Sequence, residues 1–124
     1  MEIPLGRPPP IGRLSILEHL VSSYKLWQEY LSRFPRVSRY TLGETIDLAF
    51  IATIELVFTA SSAVKEQKPV FLQRASNKLD LVKFLLRIGW EIQALDNKKY
   101  IALSEKLSIV GKMLGGWLRQ ASKP

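Results

Sequence analysis

Few side chains in this sequence have the type and spacing that catalysis or metal binding requires. The chain has one histidine, His19, and no cysteine, so it lacks thiolate nucleophiles and cysteine-based metal sites. His19 directly follows Glu18, whereas di-iron helical bundles place a glutamate three residues before a histidine. Neither a G-x-x-x-x-G-K-S/T phosphate loop nor a G-x-S-x-G nucleophile elbow occurs. We therefore expect a protein that is not an enzyme and holds no metal or cofactor, with His19 on the polar side of a helix.

Basic residues are the side chains best suited to binding a partner. Lysine and arginine number 18 against 11 aspartate and glutamate residues, which gives a formal net charge of +7 and a sequence pI of about 9.9. This excess favours anionic partners such as nucleic acid. Three arginines surround Pro35, where their guanidinium groups are suited to phosphate oxygens. They are Arg33, Arg36 and Arg39.

A second group of basic residues lies in the third predicted helix, namely Arg74, Lys78, Lys83 and Arg87. Lys83 and Arg87 are four residues apart and share one face of that helix. Asp80 and Glu91 are spaced to form exposed ion pairs with the same two residues, each worth roughly 0.2 to 0.5 kcal/mol. The pattern alone leaves two interpretations open, a partner-binding surface and ordinary surface ion pairs.

Apolar residues at intervals of three and four predict the helices that position these groups. No segment alternates with a period of two over the length that a strand needs. The second helix is expected to begin with the capping box Thr41-Leu42-Gly43-Glu44, and the short turn Asp96-Asn97-Lys98 predicts that the last helix returns antiparallel. The sequence thus predicts an all-α fold, an antiparallel up-down four-helix bundle. The expected helices span residues 15–34, 42–67, 69–95 and 99–120.

The chain divides into a proline-rich arm at residues 1–13, a bundle domain at residues 14–121 and a short tail at residues 122–124. The prolines of the arm favour a flexible, extended chain, because proline removes backbone donors and fixes φ. The N-terminus has neither the uninterrupted apolar core nor the cleavage site of a secretory signal. Together with the absence of cysteine, this predicts a cytoplasmic protein.

The second predicted helix is the most apolar of the four. Residues 48–64 contain a single charge, Glu55, so we expect this helix to be the most buried. A buried carboxylate needs a partner or must stay protonated. We expect a salt bridge within the bundle or between subunits, and a role as a functional ligand or acid is the alternative. A membrane span is the alternative for this segment. Asp47, Thr53 and Thr59 make insertion costly, and we expect no membrane association.

Four apolar residues lie outside the main helical stripes, namely Leu26, Tyr30, Ile109 and Met113. A lone bundle would leave them exposed, and together with the apolar second helix they predict a homo-oligomer. Gly111 and Gly115 are one turn apart in the last helix. Because glycine in a helix interior costs about 1 kcal/mol, close approach of another helix is the expected reason for both.

Three short motifs, in order along the chain, resemble one known family. They are Trp27 with Leu31 and Phe34-Pro35-Arg36, then Arg39-Tyr40-Thr41-Leu42-Gly43, and finally Gly111-Lys112-Met113-Leu114-Gly115-Gly116-Trp117-Leu118. Over residues 15–118 the sequence is similar to the four-helix-bundle family that includes the accessory variability determinant of diversity-generating retroelements and the proteins encoded in intervening sequences of bacterial 23S ribosomal RNA genes. The proline-rich arm has no counterpart there.

The resemblance implies a basic, non-enzymatic bundle that assembles as a pentameric ring. In the retroelement branch it implies binding of the reverse transcriptase and template RNA, in support of mutagenic complementary-DNA synthesis. The family's accessory proteins carry a basic pair on the segment that matches residues 82–87, where this sequence has Lys83 and Arg87. That match favours the partner-binding interpretation of the pair, with the other basic groups as further candidates for contact with RNA, DNA or polymerase. Two alternatives are an RNA- or ribosome-associated protein of the intervening-sequence type and a protein-only oligomeric adaptor.

Overall fold

A computed structural model describes residues 13–124, and the regular structure of this part of the chain is helical, with no strand. Helix α1 spans Arg13–Leu31, α2 spans Arg36–Ser62, α3 spans Lys68–Glu91 and α4 spans Asn97–Ala121. Each helix packs against the next one along the chain, and α4 packs against α1, which closes the bundle. The predicted all-α, four-helix architecture is confirmed. The proline-rich arm predicted at residues 1–13 lies, apart from Arg13, outside the described residues.

Helix α2 begins earlier than expected because Pro35 starts it. Pro35 has φ −54° and ψ 139° and is the N-cap residue, and the N–H groups of Ser38 and Arg39 both donate to its carbonyl oxygen at 3.0 Å. The predicted capping box is therefore wrong. Thr41 lies inside the helix, and its hydroxyl donates to the Ser38 carbonyl oxygen at 3.4 Å instead of capping a helix start. Residues Arg39–Gly43 form a widened π-helical turn within the otherwise continuous helix.

Trp27 joins α1 to α2 in the core. Its side chain is fully buried, and Nε1 donates to Asp47 Oδ1 at 3.1 Å. Gln28 Nε2 donates to the same oxygen at 2.8 Å, and the Trp27 ring meets Phe34 edge-on with centroids 5.5 Å apart. The single polar group of the buried indole is thus satisfied, so Trp27 anchors both helices.

Phe34, in the turn between α1 and α2, packs against one glycine of α2 and one of α3. A Cβ atom on Gly43 would lie 3.3 Å from Phe34 Cδ2 and 2.8 Å from Leu31 Cδ1, and one on Gly89 would lie 3.6 Å from Phe34 Cζ. A Cβ 2.8 Å from Leu31 Cδ1 would displace that atom. Gly43 therefore allows α2 to approach the end of α1 closely.

Among the described side chains, helix α2 has more buried residues than any other helix, as predicted, but it is buried on one face only. One face of it packs against the bundle and buries Ile46, Phe50 and Val57, because a helix in a four-helix bundle turns only one stripe toward the core. Leu48 and Phe58, on other faces, are 60% and 57% exposed. The helix also ends at Ser62 rather than Gln67, since the next residue is extended.

Glu55 is exposed, and no ion pair within the described residues includes it, so the predicted salt bridge inside the bundle is wrong. By length and composition alone, α2 is long and apolar enough to cross a membrane. Its most apolar window has a mean hydropathy of 1.4, and 33% of that window is buried. A core helix of a bundle meets the same criterion, and the expectation of no membrane association stays a prediction.

Helix α3 ends at Glu91, before the expected end at Leu95, because Gln93 adopts a left-handed conformation with φ 66°. The N–H groups of Ala94 and Leu95 both donate to the Gly89 carbonyl oxygen, at 2.8 and 3.1 Å, which satisfies the end of the helix. Leu95 then turns back into the core, where it is 1% exposed. The α3–α4 turn is thereby fixed by hydrogen bonds on one side and by burial on the other.

Replacing Gln93 with glycine should stabilise this turn. A residue with a Cβ atom is strained by about 1 kcal/mol or more in the left-handed region, and glycine is not. After the greater backbone entropy of glycine in the unfolded chain is deducted, we expect Gln93→Gly to raise the free energy of unfolding by about 0.5 to 1 kcal/mol. Urea unfolding with an unchanged m-value measures this gain.

The matched control is Gln93→Ala, which removes the same side chain but keeps Cβ and hence the strain. We expect no gain from it. An equal stabilisation in both variants would contradict the backbone explanation and point to the glutamine side chain instead.

Candidate functional site

The basic residues of α3 lie on opposite sides of the helix. Lys83 faces α4, where a Cβ atom on Gly111 would be 3.1 Å from its Nζ atom. Arg87, one turn further on, shares that side. Arg74 and Lys78 line a groove between α2 and α3. The four residues therefore form two separate basic flanks, a Lys83 flank next to α4 and a Lys78 flank next to α2.

The two side chains of the Lys83 flank, Lys83 and Arg87, have different surroundings. Arg87 is exposed, and its Nε donates to Glu91 Oε1 at 3.2 Å, so the predicted ion pair at this position is confirmed. Lys83 is half-buried because its aliphatic chain lies across Gly111. No ion pair between Lys83 and Asp80 forms within the described residues. The Lys83 ammonium group is thus held in place by packing and not by a carboxylate.

The Lys78 flank, formed by Arg74 and Lys78, combines charge with apolar surface. Its groove is lined by Leu56 of α2 and by Leu81, Asn77 and the two basic residues of α3. The guanidinium carbon of Arg74 lies 6.0 Å from the centroid of the Phe71 ring, which is within the range of a cation–π contact. This flank suits a partner with apolar as well as acidic groups.

The three arginines around Pro35 do not act as one group. Arg33 and Arg36 are exposed, whereas Arg39 is half-buried. Arg39 Nη2 donates to the carbonyl oxygens of Ser32 and Phe34 at 3.2 and 3.0 Å. Ser32 directly follows the last residue of α1, where carbonyl groups lack partners within the helix, and Phe34 lies in the turn to α2. Arg39 therefore caps α1 and ties the turn to it. The corner presents Arg33 and Arg36 to an outside anion, whereas Nη2 of Arg39 is already engaged and its Nε is buried without a hydrogen-bond partner among the described residues.

The apolar residues predicted at an oligomer interface are mostly covered by their own chain. Leu26, Tyr30 and Met113 are partly buried and pack against the core, and Lys99 Nζ of α4 lies 5.7 Å from the Tyr30 ring centroid. Burial raises the pKa of the Tyr30 hydroxyl above its ordinary value. Ile109 is 47% exposed, so the expectation of an uncovered residue holds fully only there. That these four residues lie in an oligomer interface stays a prediction.

Close approach of another helix, the predicted reason for Gly111 and Gly115 in α4, is found only at Gly111. At Gly111 a Cβ atom would lie within 3.7 Å of Leu79 Cδ2, which confirms close contact with α3. At Gly115 a Cβ atom would contact only Arg119 Nη1 of the same helix, at 3.5 Å. No other helix of the described chain closes on Gly115.

Large apolar side chains are also exposed on α2 and α3, and the sequence reasoning did not place them in an interface. Leu48, Phe84 and Leu81 are 60%, 59% and 38% exposed. A Cβ atom on Gly89 would lie 3.8 Å from Leu42 Cδ2, so in this antiparallel pair Leu48 of α2 is about level with Phe84 of α3. We call these three residues the Phe84 surface. The sequence feature that indicates this surface is that α2 is apolar on all sides, because one side of that helix has to remain outside the core.

His19 is exposed on α1, as expected. Its backbone carbonyl oxygen accepts from Ser23 Oγ at 2.7 Å. Within the described residues, no three or more histidine, aspartate and glutamate side chains come together to hold a metal ion.

The arginines at the α1–α2 corner should differ in their effect on stability. Arg39→Met leaves the carbonyl groups of Ser32 and Phe34 without their charged donor, and hydrogen bonds to a charged group contribute about 1.5 to 3 kcal/mol. Because Arg39 is partly exposed, we expect a loss of about 1 to 2 kcal/mol in the free energy of unfolding. Arg33→Met and Arg36→Met are the matched controls and should change it by less than about 0.5 kcal/mol. Equal losses in all three would show that Arg39 has no capping role.

Comparison with known families covers nearly the whole bundle. The family model described as bAvd-like matches residues 17–121, and the matched range includes all of α2 and α3 and both basic flanks. Among curated proteins, no match to the chain is found. The predicted family is confirmed, and this chain belongs to the bAvd-like family, that of the accessory variability determinant of diversity-generating retroelements.

Proposed function

We propose that this protein is a non-enzymatic, cytoplasmic accessory protein that binds the reverse transcriptase of a diversity-generating retroelement and its template RNA, and so supports mutagenic complementary-DNA synthesis. The observation on which the proposal rests is the family match over residues 17–121. The formal net charge of +7 supports the nucleic-acid part, since phosphate contacts by lysine and arginine dominate such affinities.

The Lys83 flank is the proposed contact for the template RNA or the polymerase. Arg87 is held only by an exposed ion pair with Glu91, in which the side chains are 63% and 53% exposed. Such a pair contributes little stability, so exchange of Glu91 for a phosphate costs little. Lys83 adds a second cation, and its packed aliphatic chain lowers the entropy that is lost on binding.

The Lys83 flank should account for more of the nucleic-acid affinity than the Lys78 flank does. We expect the double variant Lys83→Met and Arg87→Met to bind template RNA more weakly and to reduce the slope of log affinity against log salt by about 1 to 2, because each phosphate contact contributes about 0.7 to 0.9. The matched control is Arg74→Met with Lys78→Met, which removes the same charge. Fluorescence anisotropy over a range of salt concentrations measures both, and thermal melting checks that methionine preserves the packing.

The outcomes separate the candidate functions. A larger effect from the control pair would place the contact on the Lys78 flank. Wild-type protein that binds no nucleic acid at any salt concentration would support the protein-only adaptor. Pull-down of the reverse transcriptase, together with a reverse-transcriptase gene and a repeat pair beside this gene, distinguishes the retroelement role from that of an intervening-sequence protein.

Self-association is the second part of the proposal. The Phe84 surface exposes large apolar side chains on two adjacent helices, and such a patch favours association between subunits. A closed ring buries the patch in every copy. Five copies is the number that the family resemblance implies.

Charge placed on the Phe84 surface should break this assembly. We expect wild-type protein to have the mass of a homo-oligomer, five subunits in the proposed ring, and Phe84→Glu to have the mass of a monomer in light scattering, because a carboxylate is costly to bury without a partner. Phe84 is 59% exposed, so the monomer should keep its helical fold. Ile109→Glu is the control on the other candidate strip. If Ile109→Glu dissociates the assembly and Phe84→Glu does not, the interface lies on the α4 side.

A further inference from the structure

Trp90 and Tyr100 form a stacked pair at the corner between α3 and α4. Their ring centroids are 5.4 Å apart and their planes differ by 15°. Trp90 Nε1 donates to Asn97 Oδ1 at 2.6 Å, which fixes the rotation of the indole as well as its stacking. The indole is therefore held in one orientation before any partner arrives.

This pair differs from the other aromatic contacts of the described chain. The Trp27–Phe34 and Tyr24–Phe50 pairs meet edge-on at interplanar angles of 79° and 65°, and both include a fully buried ring. Trp90 instead remains 38% exposed. Core packing therefore does not account for a large aromatic ring that is held parallel to another at the surface.

Trp90 forms part of the lining of an open cavity. The lining also includes Gln93, Asp96 and Asn97. An amide group offers both donors and acceptors, and a carboxylate accepts from amino groups on a base edge. Gln93 is held at this cavity by a strained backbone with φ 66°, in a position where glycine would be the easier residue.

The charges around the cavity favour a neutral ring over a phosphate group. The carboxylates of Glu91 and Asp96 both lie in its lining, and they repel phosphate. Glu91 is paired with Arg87, and Asp96 Oδ1 accepts from the Lys99 N–H at 2.8 Å. Lys98, exposed on the first turn of α4, offers a cation outside the cavity.

We infer that this corner is a binding site for an unpaired nucleobase of single-stranded RNA or DNA. The base stacks on the exposed part of Trp90, its edge meets the amide of Gln93, and its phosphate lies toward Lys98. The inference rests on the proposed function and deepens it, since it adds a contact to the base where the Lys83 flank contacts phosphate. Stacking of this kind tolerates all four bases, because each has a π-face.

The test compares Trp90→Leu with wild type on three probes: an oligouridylate, an abasic ribose-phosphate chain of equal length, and a duplex RNA. We expect Trp90→Leu to bind the oligouridylate between about fivefold and about 150-fold more weakly, which is the range for loss of one stacked base. The salt dependence should not change, because no phosphate contact is removed. The abasic chain and the duplex should bind both proteins equally.

Two further variants keep the test decisive. Phe58→Leu removes another exposed aromatic ring, 57% exposed on α2, and should leave all three affinities unchanged. Trp90→Phe keeps a ring of smaller area and should recover part of the oligouridylate affinity without changing the affinity for the abasic chain. Thermal melting shows whether each variant is folded.

The failures of this inference and of the proposed function are distinguishable. If wild type binds the oligouridylate and the abasic chain equally well, or if Trp90→Leu weakens both by the same factor, the base site is overturned and the nucleic-acid role stands. If Trp90→Leu binds the oligouridylate normally but loses the reverse transcriptase, the corner binds protein and the base site is also overturned. Wild type that binds none of the three probes overturns the nucleic-acid role and the base site together.

Discussion

Packing around the Phe34 ring sets how α1, α2 and α3 lie relative to one another. The fully buried Trp27 meets this ring edge-on, Gly43 lets α2 pass close to it, and Gly89 of α3 lies beside it. Replacing a buried aromatic ring of this kind with alanine typically costs about 3 to 5 kcal/mol, a large part of the stability of a small domain. Because the Gly89 carbonyl oxygen also accepts the N–H groups that end α3, the same contact region determines where the α3–α4 corner begins. The basic flanks and the Trp90 corner depend on that placement.

The number and type of the helices were predictable because apolar spacing directly reports which residues can share a stripe. The helix boundaries were harder to predict. Two residues near the beginning of α2, Pro35 and Thr41, are both typical of a helix start, and the helix begins after Pro35. The apolar spacing in α1 also left open which of its faces is buried. Ile16 is fully buried and Val21 is 41% exposed, yet both fit a spacing of three or four residues. Such spacing identifies a stripe but does not choose between two that overlap.

The sequence predicted which residues belong to the candidate site, but not how these residues divide into separate surfaces. Spacing places Lys83 with Arg87 on one face of α3, but only the neighbouring helices separate that face from the one with Lys78. The role of Arg39 depends on carbonyl groups of Ser32 and Phe34 that come near it only when the chain turns at Pro35. Leu26 and Met113 are covered because helices in a bundle also contact along the sides of their stripes. Each of these outcomes depends on contacts between elements, which a single helical pattern does not contain.

The arrangement of charge and apolar surface on α3 links assembly to binding in the proposed function. Leu81, Lys83 and Phe84 are near neighbours on this helix, so an interface that buries the Phe84 surface places the Lys83 flank of each copy beside it. A ring would then repeat the flank once per subunit along a continuous rim. Affinity for a polyanion rises with the number of phosphates that are neutralised, and linked sites bind more tightly than separate ones when the ligand reaches several at once. A single flank with one paired and one unpaired cation would be a weak site, and the proposed ring would strengthen it by repeating it in every subunit.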